Sequence, residues 1–389
     1  MKKRILLFKA SAQSSDRLSR DGVFQHAREA GWNVQVVGET VTHEKPHPDD
    51  GAPPIDAAWL VKFWRPDGVI VQCGGIAPAF DPASFGTVPV VFLDCYPGQA
   101  GRDAVCVHSD AASIARLAAR ELLSSGIDDF AFAPFFENLP WSQARGGEFA
   151  RIVRMNGKRF HLLESKRGEK SVQALADQLG RLPLPCGVFA VSDIVARLVI
   201  MACETAGLDV PGDVAVVGVD NDAELCENAS VTLSSIALDV QSAGRQAARL
   251  LDARMADPTA PAATEMFGAR ALVRRASSRR FRDRRIAAAL ERIRREACHG
   301  ITPVEVARSM GVSRRFADRL FTSAVGHSIF EEIRAARIAR VKELLANPRQ
   351  GLSAISDFCG YRNPSELCRD FRRATGTTLT AWRKDAISR

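Results

Sequence analysis

ITPVEVARSMGVSRRFADRLF, residues 301–321, and LSAISDFCGYRNPSELCRDFRRATG, residues 352–376, decide the fold of the last part of this chain. Each reads as an apolar-spaced helix, a glycine turn, a capping residue and a second helix rich in arginine. That is a helix-turn-helix pattern met twice, with residues 331–345 between the two reading as one long helix. A DNA helical turn measures roughly 34–36 Å. Two second helices held that far apart can enter successive segments of a major groove, so the spacing points to double-stranded DNA as a partner.

In the first motif, residues 303–310 form the supporting helix. Gly311 supplies the turn, where a side chain would oppose a positive φ. Ser313 caps the second helix. Val306, Ala307, Met310, Phe316, Leu320 and Phe321 are spaced to bury, which leaves Arg314, Arg315, Asp318 and Arg319 facing outward. Arginine pairs bidentately with guanine and aspartate accepts from cytosine, but either arginine can equally neutralise phosphate. In the second motif Asn363 caps and Pro364 takes the first helical position. Ile355, Phe358, Leu367 and Phe371 read as core. Ser365, Glu366 and Arg369 are expected to face bases, and Arg372 and Arg373 to meet phosphates. Arg334 and Arg337, three apart on the connecting helix, either lock the two halves together or touch DNA; the spacing does not separate those roles.

Charge follows the same division. Residues 279–389 hold 24 Lys+Arg and 12 Asp+Glu, a net +12, whereas the full chain of 389 residues is only +8. The remaining 29 basic and 33 acidic groups leave residues 1–278 at −4. The positive field therefore sits where a polyanion would bind. The start, MKKRILLFKA, has only a strand-length apolar run and does not read as a signal peptide. No run of 18 uncharged apolar residues occurs, so no membrane span is expected. Nine cysteines without a C-x-x-C pair read as buried free thiols of a cytoplasmic protein.

Upstream, β-rich runs alternate with helical stretches. The runs are residues 4–10, 33–37, 68–72, 88–94, 104–107, 130–134, 160–164, 187–191 and 214–219. Helices are expected at 17–30, 110–125, 168–180, 193–206 and 239–255. Several runs are apolar on both faces, as central parallel strands are, so doubly wound sheets follow. The strands are too many for one small sheet. Two α/β lobes are expected, near 1–108 and 109–235, with residues 234–238 and the following helix returning to the first. The domain plan is a two-lobed sensor at 1–275, a linker at 276–285 and an all-α domain with two helix-turn-helix motifs at 286–389.

Ligands of such sheets bind beyond the carboxyl ends of the strands. Polar residues stand at three of those ends: Asp94 after VFL, Asp193 after FAVS, and Asp220 within DND at 220–222. Carboxylates there suit a polyol, although Asp193 also fits a helix cap and Asp222 a turn brace. Trp141 and Arg145, four apart in NLPWSQARGGEF, share a helix face. The ring offers a plate to the C–H face of a sugar, and the guanidinium offers a donor fork. No G-x-S-x-G, phosphate loop, H-E-x-x-H or G-x-G-x-x-G is present. An enzyme, a metal site and a nucleotide cofactor are accordingly not expected. His43 and His47 share a proline-rich loop without supporting ligands.

Both parts resemble the family of xylose operon regulators, over nearly the whole chain. The segments that carry the resemblance are DRLSRDGVFQHARE, PWSQARGGEF, VFAVSDIVARLVIMACETAGLDVPGDVAVVGVDND and SSIALDVQSAGRQAARLL. In the last domain Ile355, Gly360, Tyr361, Phe371, Gly376 and Trp382-Arg383 match at the right spacing. Three positions depart: Leu379 stands where proline is usual, Leu367 where a large aromatic is, and Ala317 where a bulkier core residue is. The resemblance implies a periplasmic-binding-protein-like, LacI-type sensor followed by an AraC/XylS-type DNA-binding domain. It further implies D-xylose as effector, activation of xylose-use genes, a homodimer and contact with RNA polymerase. Repression, or response to another sugar, stays open at this point.

Overall fold

The computed structural model describes residues 2–9, 14–37, 57–74, 82–101, 103–136, 139–164, 171–257, 259, 263–279, 284–345 and 350–388. The loop carrying His43 and His47 lies outside them. The chain divides into two units, Met1–Ser278 and Arg279–Arg389.

The first unit contains two six-stranded sheets. In the first, β1 (Arg4–Phe8), β2 (Asn33–Val37), β3 (Gly68–Gln72), β4 (Val90–Leu93), β5 (Val105–Ser109) and β11 (Thr264–Phe267) lie in the order β11-β5-β4-β3-β1-β2, all parallel. In the second, β6 (Asp129–Ala133), β7 (Arg159–Leu162), β8 (Cys186–Ala190), β9 (Val214–Val219), β10 (Ser234–Leu238) and β12 (Ala269–Val273) lie in the order β12-β10-β9-β8-β6-β7. Only β12 is antiparallel there. Central strands such as GVIVQ, DFAFA, CGVFA and VAVVGV are buried along their whole length. Helices cover both faces, which is why these runs do not alternate.

The return to the first lobe differs from the expectation. Strand β10 stays in the second sheet, because it pairs with β9 and β12. Of the expected pair only helix α8 (Val240–Ala256) goes back, to pack on α1 (Ser14–Ala30), and β11 follows it into the first sheet. Two glycines set that crossing. A Cβ on Gly22 would lie 2.0 Å from the Gln241 carbonyl oxygen, and one on Gly244 would lie 1.8 Å from that of Ser19. The chain passes between lobes after Ser109, at Asp239 and at Gly268. The passages are tied by Asp110 N–H donating to Phe267 O (2.8 Å) and Asp239 N–H to Gly268 O (3.0 Å). Ala276–Ser278, expected in the linker, instead form a 3-10 turn whose Ser277 and Ser278 are buried in the first unit. Of the rest of the expected linker, 280–283 lie outside the described residues, and 284–285 already belong to the helix Arg284–Glu296.

The second unit is helical: α9 (Arg284–Glu296), α10 (Pro303–Ser309), α11 (Arg314–Val325), α12 (Ile329–Leu345), α13 (Leu352–Phe358), α14 (Pro364–Thr375) and α15 (Leu379–Ser388). It has two cores. One gathers Ile293, Val306, Phe321 and Ile333, the other Val341, Ile355, Leu367 and Phe371. The 17-residue α12 feeds both, Ile329 and Ile333 into the first, Ile338, Val341 and Leu345 into the second. Its length is roughly 25 Å at 1.5 Å per residue.

Candidate ligand cleft and nucleic-acid interface

Asp94 directly follows β4 of one lobe, and Asp220 directly follows β9 of the other. Both hold positive φ, 56° and 107°, as does the next residue, Asn221, at 51°. Residues with a Cβ rarely adopt such backbone, and it is retained where surroundings over-determine it. Each carboxylate is only half-buried by exposed area, yet lies among protein groups that strip water from its charge. Burial pushes the Asp94 carboxyl up to about 6, against a lowering by Arg145 and a raising by Asp16. Burial likewise raises Asp220 well above the usual carboxylate range; Arg145 opposes this, and Asp193 and Asp94 add to it. Both strand-end carboxylates therefore lie within electrostatic reach of one guanidinium.

Arg145 is buried and spans the lobes. Its Nη1 donates to Val191 O (2.8 Å) in one lobe, and its Nη2 donates to Ser109 Oγ (3.2 Å) at the end of β5 in the other. It stands on α4 (Pro140–Met155), 4.8 Å over the Trp141 ring, four residues away. Arg145 Nε and Trp141 Nε1 are buried donors without a protein acceptor. Buried donors ordinarily have partners, so this pair suits a ligand rich in oxygen acceptors. The Tyr96 and His108 rings lie 4.4 Å apart, tilted by 39°, and the Tyr96 hydroxyl donates to Ser109 O (2.8 Å).

Asp193 sits differently. Its carboxylate accepts from Ser235 Oγ (2.5 Å), Asp222 N–H (2.8 Å) and Cys226 Sγ (3.3 Å). Its oxygens are spent inside the second lobe, bracing the turn that carries Asp220. The cap of its helix, α6 (Asp193–Thr205), is Ser192. Asp222 caps α7 (Ala223–Glu227), accepting from Glu224 and Leu225 N–H. Sequence reasoning missed Tyr96, Ser109 and Gln72. Gln72 ends β3 and donates to Asp16 and Ser19. A polar residue closing an apolar run was the available signal for it.

In the helical unit Ser313 accepts from Phe316 N–H (3.4 Å), and Gly311 has φ 68°. Thr302 and Glu305 form a reciprocal cap on α10. Phe316, expected in the core, is exposed and carries the Arg319 guanidinium 5.1 Å over its ring. Ala317 takes the buried position instead, which its place beside Phe321, four residues on, explains. Phe358 is likewise exposed, under Arg340, while Ile355 and Cys359 share the buried face. Asp318 is occupied: it accepts from Arg314 Nε (2.8 Å) and from Ile329 N–H (3.4 Å) at the start of α12. Glu366 accepts from Arg362 N–H (2.9 Å) and acts as a cap beside Asn363. Ser365, Arg315, Arg369, Arg372 and Arg373 are exposed.

The two open roles of the connector arginines separate in the structure. Arg334 pairs with Asp370 of α14 (3.7 Å), and Arg337 Nε donates to Ala297 O (2.7 Å) while lying 5.9 Å over Tyr361. Both tie α12 to its neighbours. Among the described residues no group of three His, Cys, Asp or Glu can hold a metal, and no helix is long and apolar enough to cross a membrane.

Residues 119–278 match a periplasmic binding protein-like domain, and residues 306–385 match a helix-turn-helix domain. The chain is 28% identical to a xylose operon regulatory protein of Escherichia coli strain K12, over 97% of this chain and 96% of that one. The solved structure of the xylose-binding transcription activator xylR superposes with a TM-score of 0.63 at 23% identity, covering 99% of this chain and 98% of the other. A LacI family transcriptional regulator from Arthrobacter in complex with lactose has a TM-score of 0.55 at 24% identity, covering 72% of this chain and 100% of that one. These findings correct the AraC/XylS label. The match over 306–385 is to a helix-turn-helix domain without that qualification, and the fold likeness over the first two-thirds is to LacI-type regulators. What they carry is a periplasmic binding protein-like domain followed by a helix-turn-helix domain, not an AraC/XylS-type fusion.

Proposed function

We propose that the chain is a sugar-responsive, DNA-binding transcription regulator of the xylose-operon type, not an enzyme. The observation that carries this is the placement of Asp94 and Asp220 at strand ends of opposite lobes, both at positive φ and both within electrostatic reach of the lobe-spanning Arg145. Two carboxylates, a guanidinium fork and an aromatic plate at Trp141 suit a small neutral polyol better than a charged metabolite. D-xylose is the effector, a reading supported by the likeness to a xylose-binding transcription activator and to a xylose operon regulatory protein of Escherichia coli. Asp94, Trp141, Arg145 and Asp220 contact it, and Asp193 positions Asp220.

The helical unit binds duplex DNA through both helix pairs. Arg315, Ser365 and Arg369 face base edges. Arg319, Arg372 and Arg373 meet phosphates, and Arg314 serves through its pairing with Asp318. A dimer presents these surfaces to paired sites. Sugar shifts the population between two sensor arrangements by its differential affinity for them, and contact with RNA polymerase makes the outcome activation. A thermal-shift screen of the full chain against pentoses, hexoses and sugar acids tests the effector. Selective stabilisation by D-xylose is the expected result; a flat response to every sugar removes the sensor role. Transcription from the chain's own upstream DNA, with and without D-xylose, distinguishes activation from repression.

A further inference from the structure

The turn that follows β9 is strained and held from below. Asp220 N–H donates to Ile236 O (2.9 Å) and Asn221 N–H to Ser235 Oγ (3.0 Å). Asn221 Oδ1 accepts from Nη1 of Arg275 (2.9 Å), a residue 54 positions later. The same Nη1 donates to Leu233 O (3.0 Å), and Arg275 Nε pairs with Glu227 Oε1 at 2.5 Å. The Arg275 side chain is only 9% exposed. Its backbone is anchored too: its N–H donates to Ser234 Oγ (2.8 Å), and Ser234 Oγ donates back to its carbonyl (3.1 Å).

The next residues continue the anchoring. Ser277 N–H donates to Thr232 O (3.0 Å) and Ser277 Oγ to Val216 O (2.7 Å), within β9 itself. Ser278 Oγ donates to the buried Glu121 (2.9 Å). Residue 279 then begins the helical unit. One rigid guanidinium thus touches the turn carrying Asp220, while its own backbone starts the last segment of the sensor.

We infer that Arg275 is a positioning residue that couples the Asp220–Asn221 turn to the segment 276–279 entering the DNA-binding unit. The inference rests on the reading of Asp220 as a ligand contact. A planar fork moves as one body. Any ligand-driven shift of Asn221 therefore displaces Arg275, and with it the hydrogen bonds of Ala276–Ser278. A buried guanidinium has no cheap alternative partner, so the turn and the segment share one set of alternatives instead of moving separately. Two adjacent positive-φ residues, Asp220 and Asn221, store backbone strain in the turn that Arg275 helps to hold.

Amide hydrogen exchange on the full chain, with D-xylose as the probe, tests this. In the wild type, sugar should slow exchange across residues 219–223 and across 276–279. Arg275→Lys keeps a charge for Glu227 but cannot reach Asn221 and Leu233 together. Without sugar, both segments should exchange faster in this variant, by about ten-fold, with exchange in α6 unchanged as a check on folding. With sugar, residues 219–223 should still slow and 276–279 should not. Asn221→Ala, which leaves Arg275 and its backbone anchors in place, should uncouple the segments in the same way. Sugar-dependent slowing of 276–279 that persists in both variants overturns the inference. If D-xylose alters exchange nowhere in the wild type, the effector reading falls. The sugar-free comparison then decides alone: joint acceleration of the two segments sustains the coupling, and acceleration of neither, or of 219–223 only, ends it.

Discussion

The cleft and the basic helical surface use charge in opposite ways. In the cleft, Asp94, Asp220 and Arg145 are few, partly or wholly buried and mutually dependent, so burial shifts their protonation. On the helical unit, Arg315, Arg369, Arg372 and Arg373 are exposed and solvated. Buried charge gives selectivity through geometry; exposed charge gives affinity that salt screens. The difference teaches that a residue type alone does not define a role. Asp318 and Glu366 stand on the exposed helices yet are tied up as an ion-pair partner and a cap.

The strongest way to break this contrast is through packing. Gly244→Val sets a side chain against the Ser19 carbonyl, where even a Cβ lies at 1.8 Å. It should destabilise the sensor by about 3 kcal/mol or more, read as a lowered midpoint in denaturant. A fragment starting near residue 280 should fold as helices and bind promoter DNA regardless, with affinity falling steeply in salt. A folded fragment without DNA affinity would end the modular reading.

Next in size is the cleft itself. Arg145→Ala removes donors to both lobes, and Asp220→Ala removes the second strand-end carboxylate. Each should weaken D-xylose binding by roughly 1.5–3 kcal/mol, measured by titration calorimetry on the full chain. Unchanged affinity in a well-folded variant excludes that residue from the site.

On the exposed side, Arg315→Ala should relax base preference at one operator position, costing about 1–3 kcal/mol against the correct base. Arg372→Ala should weaken all sequences alike and lower the salt slope by about one unit. Titrations with single-base operator variants at several salt concentrations separate the two outcomes. Equal loss on every sequence from Arg315→Ala would move that residue to the phosphates.

The smallest effect sharpens the buried side. Asp94 has a folded pKa of about 6, raised by burial from 3.8. Its contribution to stability is full below about pH 4 and is lost as pH rises toward 6 and beyond. Asp94→Asn removes that loss, and asparagine tolerates the φ of 56°. Its melting temperature should exceed the wild type's by about 3 °C at pH 7.5, with the gap closing near pH 4, while sugar affinity drops. A gap that is independent of pH would show that the Asp94 charge carries no burial penalty.

Much of the scaffold was readable because it follows period and punctuation. Apolar runs without alternation marked the buried strands, and Gly311, Ser313 and Asn363 marked helix ends through φ and capping chemistry. The candidate site was readable only as a set of strand ends. Asp94, Asp193 and Asp220 look alike in sequence, and the neighbours that set Asp193 apart come from Ser235 and Asp222, distant in the chain. Phe316 and Phe358 misled for a related reason. Hydrophobicity predicts burial on average, but each helix has a narrow inward face, and Ala317 and Cys359 occupy it.

What the sequence determined by itself was local: which segments coil or extend, where they stop, and which third of the chain is basic. Those properties depend on side chains a few positions apart. Only tertiary structure decided that β10 remains with the second sheet, that Arg334 and Arg337 bind α12 to its neighbours, and that Arg145 bridges two lobes. Each of these joins residues tens of positions apart. Their meeting depends on sheet order and helix crossing, which no single stretch of the chain encodes.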